Sequence, residues 1–210
     1  MTEQMRKIKK RLKKELESSR YQHTLGVMYT ASCLAMRYGE DLKKAMLAGL
    51  LHDCAKCIPE EKQLNLCKKN EIPIREVEHK NPSLLHAKLG AFLAKTEYGV
   101  EDQEILHAIT VHTTGAPGMN LLDKLLFVAD YIEPNRNKAP DLDDVRRLAF
   151  YDLDQAALRI LHDTIYYLNE KRGAVDSNTH DTYEYYLELL KSKLEKEEFD
   201  GFETNGEAGV

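Results

Sequence analysis

The hydrophobic positions of this 210-residue chain recur every three to four residues along almost its whole length. This period is typical of amphipathic α-helices, and no segment alternates for long enough to predict a strand. We therefore predict an all-α fold, with helices over residues 3–17, 20–37, 41–53, 59–70, 81–93, 101–111, 121–131, 152–171 and 178–196. Residues 1–197 are predicted to form a single domain, and residues 198–210 a flexible acidic tail.

Six ionisable residues interrupt the apolar sides of these helices. They are four histidines and two aspartates, each within or at the end of an apolar helix: His23, His52, Asp53, His86, His112 and Asp130. A lone histidine in this setting is usually a hydrogen-bonded core residue, and a lone His-Asp pair is usually a helix end. A buried carboxylate needs a partner, however, and imidazole and carboxylate groups can share a metal ion. Six such residues on five helices therefore favour a metal site.

Composition and charge narrow the class of protein. The formal net charge of −5 argues against general affinity for nucleic acid. The basic run over residues 6–14 alternates with an apolar helical stripe, so we interpret it as the solvated side of that helix. No apolar run approaches the roughly 20 residues that cross a membrane, and no signal-peptide pattern follows the first residues. We expect a cytoplasmic protein with no membrane partner.

The chain has four cysteines, Cys33, Cys54, Cys57 and Cys67, which we expect to be reduced thiols in that compartment. Cys54 and Cys57 have the spacing of a redox pair. The flanking sequence lacks the strand–helix pattern of thioredoxin-like proteins, so we interpret this spacing as fortuitous.

The order histidine, histidine-aspartate, histidine, histidine, aspartate resembles that of the HD-domain superfamily of metal-dependent phosphohydrolases. Five segments resemble more closely the YqeK family of symmetrical diadenosine tetraphosphate hydrolases: residues 20–27, 51–56, 85–87, 112–115 and 129–136. The resemblance implies an HD-domain helical bundle. It also implies an enzyme that cleaves diadenosine tetraphosphate into two ADP molecules, by attack of a metal-activated water on an inner phosphate.

Imidazole and carboxylate donors without a thiolate suit iron, manganese, cobalt or zinc, and the family resemblance favours iron. Four residues are predicted as primary ligands: His23, His52, Asp53 and Asp130. His86 and His112 either hold a second metal ion, with Asp53 bridging the two ions, or bind phosphate oxygens directly. The sequence leaves both arrangements open.

Polar residues close to these ligands are predicted to bind the nucleotide. Lys56, about one turn past Asp53, is expected to pair with phosphate and to serve catalysis together with Asp53; a solvent-facing lysine is the alternative. Arg20 and Arg136 are further candidates, because guanidinium groups can hold phosphate bidentately. The remaining members of the predicted nucleotide site are His86, His112, Thr113 and Asp130.

Some positions depart from the family pattern. Cys54 and Cys57 stand where aromatic residues are common, Ala116 stands where a basic residue is common, and residues 138–141 lack the usual Phe-Pro-Gly. Four further histidines receive no role in the predicted site: His79, His107, His162 and His180.

Two alternative functions are compatible with the same residues. The ligand set also suits a nucleotidase or another HD-type phosphohydrolase acting on a mononucleotide. A non-catalytic nucleotide-binding regulator would be favoured by loss of a ligand-type residue, whereas all six are present. The expected partner is a small-molecule nucleotide rather than nucleic acid, and assembly as a homodimer is left open.

Overall fold

The computed structural model describes the backbone of residues 1–171, 173 and 175–206, and side chains as far as residue 196. Helix is the only regular secondary structure in this part of the chain, which confirms the predicted all-α fold. The α-helices are α1 Glu3–Glu15, α2 Ser18–Tyr38, α3 Leu42–Leu51, α4 Glu60–Lys69, α5 Glu76–Lys80, α6 Leu85–Thr96, α7 Gln103–Val111, α8 Leu121–Ile132, α9 Leu142–Ala149, α10 Leu153–Glu170 and α11 Ser177–Gly206. A single turn of 3-10 helix, Pro82–Leu84, leads into α6.

Two short helices, α5 and α9, lie where no helix was predicted, and α11 continues past the predicted end at residue 196. The domain boundary at residue 197 and the flexible acidic tail stay predictions. The side chains from residue 197 onwards and all of residues 207–210 lie outside the described part of the chain.

Side-chain caps fix where three central helices begin. The Asp41 carboxylate accepts hydrogen bonds from two backbone N–H groups at the start of α3, and Asp102 does the same for α7. Asn120 and Asp123 form a reciprocal capping box at the start of α8. Such caps satisfy backbone donors that have no partner within the helix. By fixing where each helix begins, the caps determine which residues lie at the ends of α3, α7 and α8, where the candidate residues are found.

The centre of the bundle is formed by α2, α3, α7 and α8, which pack against one another. Gly49 permits an unusually close approach of α3 to α2, because a Cβ at this position would lie 2.7 Å from Cα of Met28. Leu50 and Leu51 follow it and are fully buried. This packing brings the end of α3 beside the first half of α2. No helix in the described residues has the length and apolar character that crossing a bilayer requires.

Candidate metal centre

The structure brings the six candidate residues from five helices to one point inside the bundle. His23 lies in the first half of α2 and His86 in the first turn of α6, while His52 and His112 directly follow α3 and α7. Asp53 follows His52, and Asp130 lies near the end of α8. All are buried except Asp130, whose side chain is 21% exposed.

The Asp53 carboxylate lies between two pairs of histidines. Its Oδ2 is 3.3 Å from Nε2 of His52 and 3.7 Å from Nε2 of His23. Its Oδ1 is 3.3 Å from Nε2 of His86 and 3.8 Å from Nε2 of His112. We call the Oδ2 side, with His23, His52 and Asp130, the first face, and the Oδ1 side, with His86 and His112, the second face.

The donor atoms within each face are close enough to share an ion. On the first face, Oδ1 of Asp130 is 2.9 Å from Nε2 of His23 and 3.8 Å from Nε2 of His52. On the second face, the Nε2 atoms of His86 and His112 are 3.3 Å apart. The Thr113 hydroxyl lies within 3.2 Å of both.

In three of the four histidines, the hydrogen bond of the outer nitrogen, Nδ1, determines whether the inner nitrogen, Nε2, carries a proton. Three of the Nδ1 atoms donate to the backbone carbonyl three residues earlier: His52 to Gly49, His86 to Ser83 and His112 to Ile109. Because a carbonyl oxygen only accepts, the proton of each neutral ring is on Nδ1 and the lone pair on Nε2 points into the centre. This arrangement is typical of metal-binding histidines.

Glu133 holds the fourth histidine and was missed in the sequence. Its Oε1 lies 3.0 Å from Nδ1 of His23, and the side chain is almost wholly buried. Its Oε2 accepts from the backbone and side-chain nitrogens of Asn135. The available signal was an acidic residue three positions after Asp130, within the same motif.

Gly26, one turn after His23 on α2, leaves the space that Glu133 occupies. A Cβ at Gly26 would overlap with Oε2 of Glu133. The absence of a side chain at this position is therefore part of the support for His23.

We expect Glu133→Gln to weaken metal binding by about 10- to 100-fold, because the amide removes the charge that polarises and orients His23. Metal titration of the purified variant measures this, with Glu3→Gln as the control on an exposed carboxylate. Unchanged metal affinity in Glu133→Gln would contradict the role given to this carboxylate.

The electrostatics of Asp53 and the second face favour the protonation states that bind metal. Burial would raise the pKa of Asp53, but His52, His86 and His112 together hold that pKa well below its usual range. Burial lowers the pKa of His86 to about 3 and that of His112 to about 4. Asp53 is therefore ionised and the two histidines of the second face are neutral at neutral pH, the forms in which these groups ligate metals.

Three cationic residues surround the centre. Arg20 Nη1 is 2.7 Å from Oδ2 of Asp53, and Arg136 Nη2 is 3.1 Å from Oδ1 of Asp130. Lys56 is half-buried, with Nζ 3.3 Å from Nδ1 of His86, so it does not face solvent. Burial lowers the pKa of Lys56.

The remaining positions noted in the sequence lie elsewhere or serve packing. Cys54 is buried, with Sγ 3.5 Å from the carbonyl oxygen of Gly90, and all four cysteines are free. Cys57 and Ala116 are partly buried against the main core. Two histidines that received no role have carboxylate partners away from the centre, His107 with Asp123 and His162 with Asp163.

Comparison with known proteins identifies the family to which the chain is related. A model of the HD domain matches residues 20–135. The symmetrical bis(5'-nucleosyl)-tetraphosphatase of Bacillus subtilis is 45% identical over 176 residues, which are 84% of this chain and 94% of that protein. The protein of the same name from Halalkalibacterium halodurans is 41% identical, over 84% of this chain and 93% of its own.

A solved structure shows the same fold. The crystal structure of an HD superfamily hydrolase from Clostridium acetobutylicum, described as involved in NAD metabolism, matches with a TM-score of 0.84 and 41% identity. The match covers 87% of this chain and 96% of that one. An HD domain implies dependence on a divalent metal, and the His/Asp cluster supplies suitable donors. The chain therefore belongs to the HD-domain family and, within it, to the YqeK family that its motifs resemble.

Proposed function

We propose that this protein is a metal-dependent hydrolase that cleaves diadenosine tetraphosphate symmetrically into two ADP molecules. The observation that carries the proposal is the Asp53 carboxylate, whose two oxygens face separate pairs of histidines inside a rim of three cations. The curated relatives are named symmetrical bis(5'-nucleosyl)-tetraphosphatases and are matched over nearly their whole length, which supports a dinucleoside tetraphosphate as the substrate here.

The ligands proposed for one metal ion are those of the first face, Asp53 Oδ2 with His23, His52 and Asp130. The donors are nitrogen and oxygen, and the nearby Cys54 thiol is directed to the Gly90 carbonyl instead. Such a set suits iron, manganese, cobalt or zinc, and iron is proposed because of the family. A bound divalent metal lowers the pKa of its water to near neutrality and so makes hydroxide available.

The second face is proposed to hold another metal ion, with Asp53 bridging, rather than to bind phosphate directly. A neutral imidazole whose Nδ1–H is already donated to a carbonyl presents only a lone pair at Nε2. Neither His86 nor His112 can then donate a hydrogen bond to a phosphate oxygen. Their low pKa values keep both rings in this neutral state at neutral pH.

The residues around the centre are proposed to hold the polyphosphate during cleavage. The attacking water oxygen bonds to one inner phosphorus, and the bond from that phosphorus to the oxygen bridging to the other inner phosphate breaks. The second ADP leaves with that bridging oxygen. Arg20 and Arg136 on the first face, and Lys56 beside the second, neutralise the phosphate charge. Thr113 adds a hydroxyl, and ionised Asp53 orients the water.

Lys56 is the proposed partner of the phosphates on the second face. Its side chain is half-buried, yet it forms no ion pair with a carboxylate in the described residues. A partly buried ammonium group without a counter-ion is unfavourable, and a phosphate would supply one. Arg20 and Arg136 differ, because their present partners are Asp53 and Asp130. A metal ion on these carboxylates would take over that pairing and leave the guanidinium groups to phosphate.

We further place the enzyme in the cytoplasm, where four free cysteines stay reduced. Assembly as a homodimer stays a prediction that sedimentation measurements can test.

Product analysis tests the proposed function. The metal-loaded protein is incubated separately with diadenosine tetraphosphate, ATP and AMP, and the nucleotides are separated by anion-exchange chromatography. We expect ADP alone from the dinucleotide, and values of kcat/KM at least about 100-fold lower for the mononucleotides. Faster release of inorganic phosphate from AMP would identify the mononucleotide phosphohydrolase. Nucleotide binding without any product would identify the regulator.

A further inference from the structure

An arginine outside the metal centre binds the turn that carries two residues supporting this centre. The turn spans residues 133–136 and is closed by a hydrogen bond of 2.9 Å from the backbone N–H of Arg136 to the carbonyl oxygen of Glu133. Pro134 is its second residue, where the fixed φ of proline favours a β-turn. The turn directly follows α8, so it joins Glu133, which holds His23, to Arg136, the proposed phosphate ligand.

Three of the four hydrogen bonds that Arg146 donates go to backbone carbonyl oxygens in this turn or just before it. Nε donates to Ile132 at 3.0 Å. Nη2 donates to Glu133 at 3.2 Å and to Arg136 at 2.9 Å. The fourth bond, from Nη1, goes to the exposed Asp143 carboxylate at 3.1 Å. A single nitrogen of the guanidinium therefore bridges the first and the last residue of the turn.

The packing of α9 places Arg146 beside the turn. Val145 and Ala149 lie four residues apart on one side of this helix and are almost wholly buried, where α9 packs against α10 and α8. Directly before α9, the Asp141 carboxylate pairs with Arg159 of α10 at 2.7 Å. The helix is thus held by its apolar side and by an ion pair, and the Arg146 side chain, only 31% exposed, lies along the end of α8.

We propose that Arg146 is a positioning residue, which fixes Glu133 and Arg136 relative to each other. It thereby couples the orientation of His23 to the placement of the phosphate-binding charge. The inference rests on the proposed function, since that function gives Arg136 a phosphate to hold. Both side chains project from one short turn, so a shift of the turn displaces both. A misplacement of about 1 Å in a catalytic site can lower a rate about 100-fold.

The contacts of Arg146 exclude a direct role in binding phosphate. All but one of the N–H donors of its guanidinium are engaged within the protein. The remaining donor cannot form the bidentate contact with which arginine holds phosphate. A cation at the end of α8 also stabilises that helix. This capping role alone predicts a loss of stability that does not depend on Glu133 or Arg136, and the two roles can be separated on that basis.

A double-mutant cycle on metal affinity tests the link to Glu133. Arg146→Met removes every donor and keeps an apolar stem. It should weaken metal binding about 10-fold, the lower end of the range for residues that orient a metal ligand. In a Glu133→Gln background the same substitution should change the affinity less than about 2-fold, because the carboxylate through which it acts is gone. Arg147→Met is the matched control, since Arg147 is exposed on the same helix and pairs with Asp144.

A second cycle, measured as kcat/KM for diadenosine tetraphosphate at saturating metal, tests the link to Arg136. Arg146→Met should lower kcat/KM about 10-fold when Arg136 is present, and less than about 2-fold in an Arg136→Ala background. Arg147→Met should resemble the wild type. A residue that only caps α8 would lower kcat/KM by the same factor in both backgrounds.

Arg146→Lys keeps the test decisive if Arg146→Met does not fold. Lysine retains the positive charge at the end of α8 but lacks the planar fork of arginine, so it should show the same dependence on both backgrounds. Equal factors in the two backgrounds of either cycle, or wild-type values in both Arg146 variants, would overturn the proposal. If the wild type made no ADP, the proposed function itself would fail, and the metal cycle would decide the role of Arg146. ADP formation with equal factors would reject the role of Arg146 alone.

Discussion

Replacing Asp53 with asparagine, or His52 with alanine, is expected to lower kcat/KM for diadenosine tetraphosphate by at least about 1,000-fold. Metal catalysis contributes several kcal/mol to stabilising a transition state, and about 4 kcal/mol corresponds to this factor. Asp53 contacts both pairs of histidines, so its loss affects both faces. Steady-state kinetics and elemental analysis should show loss of turnover together with loss of bound metal.

The helices should persist in both variants, because the caps and the packing of α3 against α2 do not depend on these side chains. Circular dichroism checks this. His162→Ala and His180→Ala are the controls and should keep activity within a few-fold, since neither residue belongs to the centre. Full activity in either ligand variant, or an equally deep loss in the controls, would mean that the site has been placed wrongly.

Removal of one phosphate-binding charge is expected to impair the enzyme without emptying the metal site. Each of Arg136→Ala and Lys56→Ala loses one charge-assisted hydrogen bond, worth about 1.5–3 kcal/mol, or roughly 10- to 150-fold in kcat/KM. Both variants should keep normal metal content and still give ADP alone. The Arg136 guanidinium donates to both the backbone carbonyl and the carboxylate of Asp130, so metal analysis is needed to separate phosphate binding from support of the ligand.

Two exposed ion-pair residues provide matched controls, Arg6→Ala for the arginine and Lys80→Ala for the lysine. Exposed ion pairs contribute little to stability, so both controls should resemble the wild type. Loss of metal from Lys56→Ala, or wild-type kinetics in both site variants, would contradict their assignment to phosphate.

The long helices could be predicted from the sequence because their signals are local. Asp41 caps α3 and Gly39 ends α2 in the left-handed conformation that glycine adopts easily. The short helices α5 and α9 were not predicted, because their five and eight residues contain too few turns to establish a hydrophobic period. In addition, the residue directly before α9, Asp141, is a non-glycine residue with a φ of 48°, which no simple sequence pattern indicates.

The candidate ligands could be found because ionisable residues on apolar helices stand out. The residues that orient those ligands could not be predicted from the sequence, since their role depends on tertiary contacts. Glu133 meets His23 across 110 positions of sequence, and Arg20 meets Asp53 across 33. The metal role proposed for His86 also rests on the tertiary structure, because the Nδ1 hydrogen bond determines whether Nε2 can accept or donate.

Hydrolysis in water enriched in oxygen-18 tests the central claim most directly. The metal-loaded protein cleaves diadenosine tetraphosphate under single-turnover conditions, and mass spectrometry locates the label in the nucleotide products. Attack on an inner phosphate with cleavage of the central bridge predicts ADP as the sole product, with one labelled oxygen on the β-phosphate of half of the ADP molecules. Formation of ATP and AMP, with the label in either, would mean that the bond between an outer and an inner phosphate breaks, and would contradict symmetrical cleavage at this centre.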